Sequence, residues 1–173
     1  NKTWLYSSFS SNGSITILWP KVVEYFKYTN ANASIGLPYV TNVLLSNEEF
    51  FLNNTEAHIM KNELNLANAE MEYFFTTRTT GYNATTDKVT EAKIVAKYPV
   101  ITDEYTPFYS LTPVQASYIK AVAELRRIEF IHEGLRWFDI KRFNLKVTHK
   151  IYNKPNNVLE KDDLRRAIQI PFY

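Results

Sequence analysis

The stretch LRRIEFIHEGLRWFDIKRFN, Leu125 to Asn144, decides how this chain is read. It sets Arg126, Arg127, Glu129, Glu133, Arg136, Asp139, Lys141 and Arg142 among Leu, Ile, Phe and Trp and leaves no clean polar face. Upstream, Thr112-Pro113-Val114-Gln115 supplies an N-cap, a proline for the first helical position and a Gln for the capping box, which predicts a helix start. Gly134 is the nearest residue that reverses the backbone cheaply, so the helix is expected to run to it. On that helix Val114, Tyr118, Ala121, Leu125, Ile128 and His132 form one stripe, and Arg126, Glu129 and Glu133 fall on the row beside it. Charges bordering a core are tolerated when paired. Arg136 and Asp139, just past the bend, are the natural partners. The segment reads as a helix, a tight bend and a short second helix, clamped by ion pairs.

That wording, E-x-x-x-E-G-x-R-W-F-D-I-K-R from Glu129 to Arg142, resembles the C-terminal signature of the SusD/RagB family, nutrient-binding lipoproteins of the Bacteroidetes outer membrane. With Arg126 beside it, the signature set is Arg126, Glu129, Glu133, Gly134, Arg136, Trp137, Asp139 and Arg142. The chain departs from the family wording at Leu125, often Glu, His132, often aromatic, Phe143, often Trp, and Asn144, often Gly. Two further stretches resemble the family. FLNNTEAH, Phe51 to His58, is similar to its L-x-R-A-E-A helix at Glu56-Ala57. Asp162-Asp163-Leu164-Arg165 followed by Ile168-Gln169-Ile170-Pro171 is similar to its D-D-P-R…P-I-P ending, with Leu164 in place of proline.

The resemblance implies a mainly α fold, a tetratricopeptide-like helical scaffold with short strands and long loops, of which residues 1–173 form the C-terminal part. It implies capture of an oligosaccharide or a peptide and delivery to a SusC-like, TonB-dependent transporter. No cofactor is expected. The implied location is the extracellular face of the outer membrane, held there by a lipid anchor outside these residues.

Composition is compatible with that reading. With 45% hydrophobic and 22% charged residues, 173 residues can bury a single-domain core. A net charge of +2, without a basic run, a Walker sequence or a Gly-rich dinucleotide motif, argues against nucleic acid and nucleotides as partners. Cysteine is absent, which excludes disulfides, thiol catalysis and Cys-metal sites. No run approaches the roughly 18 apolar residues of a membrane span.

Along the chain, residues 1–46 form an aromatic, loop-rich segment with one short strand expected at Ile15 to Trp19. Lys21 to Tyr28 reads equally as strand or helical turn. Ser46-Asn47-Glu48-Glu49 is a capping box opening a helix pair over 47–81, with Phe50, Asn54 and Ala57 on one face of the first helix. The second helix places Leu66, Ala69 and Tyr73 on one row and Ala67, Met71 and Phe74 on another. A further helix is expected from Thr85 or Thr86 to Lys97, then a Pro-rich loop over 98–111. Signature helices occupy 112–143, and strands and loops occupy 144–173, with a strand at Val147 to Tyr152.

Glu129 and Glu133 invite a glycoside-hydrolase reading, since paired carboxylates can do acid–base work. Neighbouring arginines hold such acids ionised, which is the opposite of what a general acid needs. The three histidines, His58, His132 and His149, lack metal-binding spacing, so no metal site is predicted. Phe50, Phe51, Phe74, Phe130, Trp137 and Phe138 are expected in the core. Trp4, Tyr6, Trp19 and Tyr39 lie in polar, irregular sequence, where flat rings beside Asn suit a sugar or peptide, and they are the expected ligand contacts. The loop from Tyr105 to Tyr109 is next in line. A scaffold that binds only a partner protein is the remaining alternative.

Overall fold

The computed structural model describes residues 7–11, 14–18, 23–41, 44–131 and 133–167. The fold is mainly helical, with α1 Asn47–Met60, α2 Leu64–Arg78, α3 Glu91–Lys97, α4 Pro113–Glu129 and α5 Leu135–Arg142. The strands β1 Ser7–Ser11, β2 Ser14–Leu18, β3 Val23–Asn30, β4 Ile35–Thr41, β5 Val147–His149 and β6 Asn157–Leu159 pair only as the antiparallel hairpins β1–β2, β3–β4 and β5–β6 among the described residues. Residues 1–50 and 72–88 group into one compact unit, and 51–71 and 89–173 into another.

In the second unit α4 is the central helix. Thr112 Oγ accepts from the Gln115 backbone at 3.2 Å and Gln115 Oε1 accepts from the Thr112 backbone at 3.0 Å, completing the capping box with Pro113 in the first turn. The same Gln115 side chain donates from Nε2 to the carbonyls of Ile59 at 3.0 Å and Met60 at 3.2 Å, which are end groups of α1. Tyr118, Ile119, Ala121, Val122, Ala123 and Leu125 are buried on several sides of α4, the mark of a helix packed from more than one direction. Tyr118 donates its hydroxyl to Asn68 of α2 at 2.8 Å. Lys120 is buried too, and its ammonium is satisfied by the Pro99 carbonyl at 2.6 Å and by Glu104.

Several expectations shift. α4 stops at Glu129 with Phe130 as its C-cap, short of Gly134. Gly134 spends its left-handed φ of 78° at the entry to α5 instead, because the chain needs its reversal there. The buried face of α1 is Leu52, Thr55, Glu56 and Ile59, while Phe50 is 71% exposed and Asn54 and Ala57 face solvent. On α2 the row Ala67, Met71 and Phe74 is the buried one. Trp137 and Phe138, expected in the core, are exposed, whereas Phe130 and Phe143 are buried.

The helix expected from Thr85 or Thr86 begins only at Glu91, capped by Thr90. Asn83 accounts for the delay: its side-chain oxygen accepts from the backbone of Thr85 at 2.9 Å and Thr86 at 3.1 Å, closing a turn that competes with helix. Residues 1–46, read as loop-rich, hold the hairpins β1–β2 and β3–β4. The strand expected over Val147 to Tyr152 ends at His149.

Candidate functional site

The signature charges meet in the second unit. Arg126 and Asp139 are 6% and 1% exposed, and the Arg126 Nε lies 3.2 and 3.3 Å from the two Asp139 oxygens. Arg126 also donates to the Asn53 side chain at 2.7 Å. Arg142 donates to Asp139 at 3.0 Å and reaches both oxygens of Glu56, at 2.6 and 2.9 Å. Burial disfavours the Arg142 charge, but Glu56 and then Asp139 outweigh it, and the guanidinium pKa is raised. Both guanidiniums also cover rings: Arg142 lies 4.3 Å from the centre of Phe143 and Arg126 5.3 Å from Phe130. Buried charges are thus matched, two arginines against Asp139 and Glu56.

Arg136 does not join them as expected. Its guanidinium turns back to the Ala123 carbonyl at 3.5 Å and to the Tyr105 phenol. Glu129 is buried and Glu133 half-buried, and neither lies on the wall of the cleft described next. Sequence reading missed Glu56 and Asn53 as members of the cluster, since both sit on α1, far away in the chain.

A cleft of about 640 Å³ opens beside this cluster, walled by Thr106, Phe108, Lys141, Asn144, Asp162 and Leu164 among others. Its walls are firmly positioned. The Thr106 backbone donates to the Phe143 carbonyl at 3.0 Å, and Tyr105 packs on Phe143 with ring centres 5.5 Å apart. Phe108, 95% exposed, projects from this pinned loop with Tyr109 against its edge. Asn144, with a positive φ of 49°, exchanges two hydrogen bonds with Asp162, at 2.8 and 3.0 Å. An Asn at this left-handed position serves where the family wording often has glycine. Arg166 then holds the far wall, donating to the carbonyls of Ile140 at 3.0 Å, Glu160 at 2.9 and 2.7 Å, and Leu145.

The first unit offers an aromatic hairpin. Tyr25 of β3 and Tyr39 of β4 are register partners whose rings stack at 5.3 Å and 20°. Phe26 and Tyr28, on the alternate face, meet edge to face at 5.0 Å. Tyr25, Phe26, Tyr28, Ile35, Leu37 and Tyr39 are all 46% exposed or more, an apolar surface of the kind that marks a binding region. Of the expected ligand contacts, Tyr39 is the one the structure describes; Trp4, Tyr6 and Trp19 lie outside the described residues, as does His132.

The sequence model of the SusD family matches residues 48–170, more than half of the chain. The chain belongs to the SusD family. No curated protein and no solved structure matches it. Membership places this SusD-family chain among proteins that bind nutrients for uptake at an outer membrane, a family whose members are generally binding proteins and not enzymes. The matched span holds the charge cluster and the cleft, while the β3–β4 hairpin precedes it. No helix among the described residues is long and apolar enough to cross a membrane. Among those residues no group of His, Asp and Glu has the arrangement of a metal site.

Proposed function

We propose that this chain captures a nutrient oligomer, an oligosaccharide or a peptide, and hands it to a SusC-like, TonB-dependent transporter at the extracellular face of the outer membrane, where a lipid anchor outside these residues holds it. The observation that carries this reading is the exposed Tyr25–Tyr39 stack on the hairpin outside the family-matched span. Ring faces combine apolar contact with hydrogen-bonding hydroxyl tips, which suits a pyranose or a peptide side chain. Trp4, Tyr6 and Trp19 belong to the same segment, and the proposal includes them with Tyr39 as ligand contacts. The signature residues Arg126, Glu129, Glu133, Gly134, Arg136, Trp137, Asp139 and Arg142 support the scaffold.

Capture breaks no bond in the ligand. The hydrolase alternative needs an acid in reach of substrate, and Glu129 is only 3% exposed on the central helix. The test is calorimetric titration of the chain with neutral oligosaccharides and short peptides, with product analysis after long incubation. Binding that is weakened in Tyr39→Ala, without cleavage, is the expected result. Turnover that is lost in Glu129→Gln or Glu133→Gln overturns the reading.

A further inference from the structure

We propose that the cleft in the signature unit binds a carboxylate-bearing ligand, with Lys141 as counter-ion and Phe108 as apolar platform. Its volume of about 640 Å³ is that of a small-ligand site. Charge on its walls decides the ligand's sign. Arg142 is neutralised by Glu56 and Asp139, Lys161 pairs with Asp103 at 3.1 Å, and Asp163 pairs with Arg165. Two cations, Lys141 and Arg166, then face one acid, Asp162, whose carboxylate already accepts from Asn144.

Arg166 is the unusual member. It is 7% exposed, and among the described residues its guanidinium meets carbonyl oxygens and no carboxylate. Carbonyls satisfy its N–H groups but carry only partial charge, so a full positive charge stays beneath the cleft wall where water screens it poorly. Lys141 is exposed at the mouth, and its ammonium has no ion-pair or hydrogen-bond partner among the described residues. An anion entering the cleft would therefore meet an exposed ammonium and a fixed positive field. A single available ammonium suits one carboxylate, whereas a polyphosphate or nucleic acid engages a row of cations. Phe108 offers a ring face for the apolar side of the same ligand, and Asn144 and Thr106 offer polar edges.

The carboxylate could belong to a uronic acid or to a peptide C-terminus. Its biological use rests on the capture reading above, but its test does not. Titrate the 173-residue chain with a galacturonate trisaccharide and its neutral galactose twin, and with a tripeptide bearing a free or an amidated C-terminus. In at least one pair the acid should bind about tenfold more tightly than its neutral twin, a preference that fades with salt. Lys141→Gln should abolish that preference and Lys141→Arg should keep it, with melting temperatures unchanged. Tyr39→Ala should leave it intact, which separates failure of the hairpin from failure of the cleft. Which pair responds identifies the ligand's source. Equal binding of acid and neutral twin, no binding of either acid, or a preference that survives Lys141→Gln would each overturn the proposal.

Discussion

Arg142 donates to both carboxylate oxygens of Glu56, at 2.6 and 2.9 Å, across 86 residues of chain. This fork ties the last turn of the signature helix to the buried face of α1. Removing the acid leaves the guanidinium, already half desolvated, with only Asp139, which Arg126 shares. Glu56→Ala should lower stability by about 3 kcal/mol, the low end for a broken buried pair because Arg142 keeps 35% of its side-chain surface exposed. Urea denaturation of the two proteins checks this, and an unchanged midpoint would refute it.

The aromatic residues of the signature divide by burial. Phe143 is 1% exposed and packed against Arg142 and Tyr105, so Phe143→Ala should cost about 3–5 kcal/mol. Trp137 is 38% exposed, and Trp137→Ala should cost less than about 2 kcal/mol, as only part of the ring leaves an apolar contact. Thermal melts rank the two, and the reverse order would contradict the packing described.

Burial raises the phenol pKa values of Tyr98, Tyr105, Tyr109 and Tyr118, and burial followed by Glu72 pushes Tyr82 up to about 12. A raised folded value means that the native state holds the proton longer than the unfolded chain, whose tyrosines titrate near pH 10. The resulting stability is fully present below about pH 10 and is lost as pH rises through the folded values. Melting temperature should be flat to mildly alkaline pH and then fall. Absorbance at the phenolate band should show a late-titrating set in the native protein that merges with the rest in urea. Native titration in one step near pH 10 would be inconsistent with this.

Gly36 is the backbone position that the aromatic hairpin depends on. A Cβ there would lie 2.4 Å from the Lys27 carbonyl oxygen and 2.6 Å from the Phe26 ring. The ring could swing away, but the carbonyl is part of the facing strand. Gly36→Ala should destabilise the hairpin by about 1–3 kcal/mol, the usual penalty of overpacking, and break the Tyr25–Tyr39 stack. Amide exchange over 23–41 should accelerate, and ligand affinity should fall with it. Exchange no faster than in the parent would show that the strands tolerate the extra carbon.

Local rules made the start of α4 readable, because Thr112, Pro113 and Gln115 act within one turn. The face of α1 was harder. Phe50, Phe51 and Leu52 are consecutive, and each defines a different stripe. Only Leu52 has a large aliphatic partner two turns on, Ile59, and both are fully buried, whereas Phe50 leads to Ala57. Partners such as Glu56–Arg142 and Tyr25–Tyr39 arise from tertiary or cross-strand pairing. No spacing within one element announces them. The ambiguity of Lys21 to Tyr28 concealed the hairpin, and with it the residues that surround Tyr39. Gly134 uses its freedom at the entry to α5 and not at the end of α4, and spacing alone does not separate the two, since one reversal serves either the helix before it or the one after.

Gln115 caps the beginning of α4 with its oxygen while its nitrogen holds the end of α1. Fraying is normally private to each helix terminus, but here the two termini share one amide group and must open together. A truncation that removes 47–62 would strip α4 of the anchor that orients its own cap, and a truncation before Thr112 would take the amide from the Met60 carbonyl and leave Ile59 with only the Asn62 N–H. An exchange between relatives that parts α1 from α4 therefore disturbs the end of one helix and the start of the other at once.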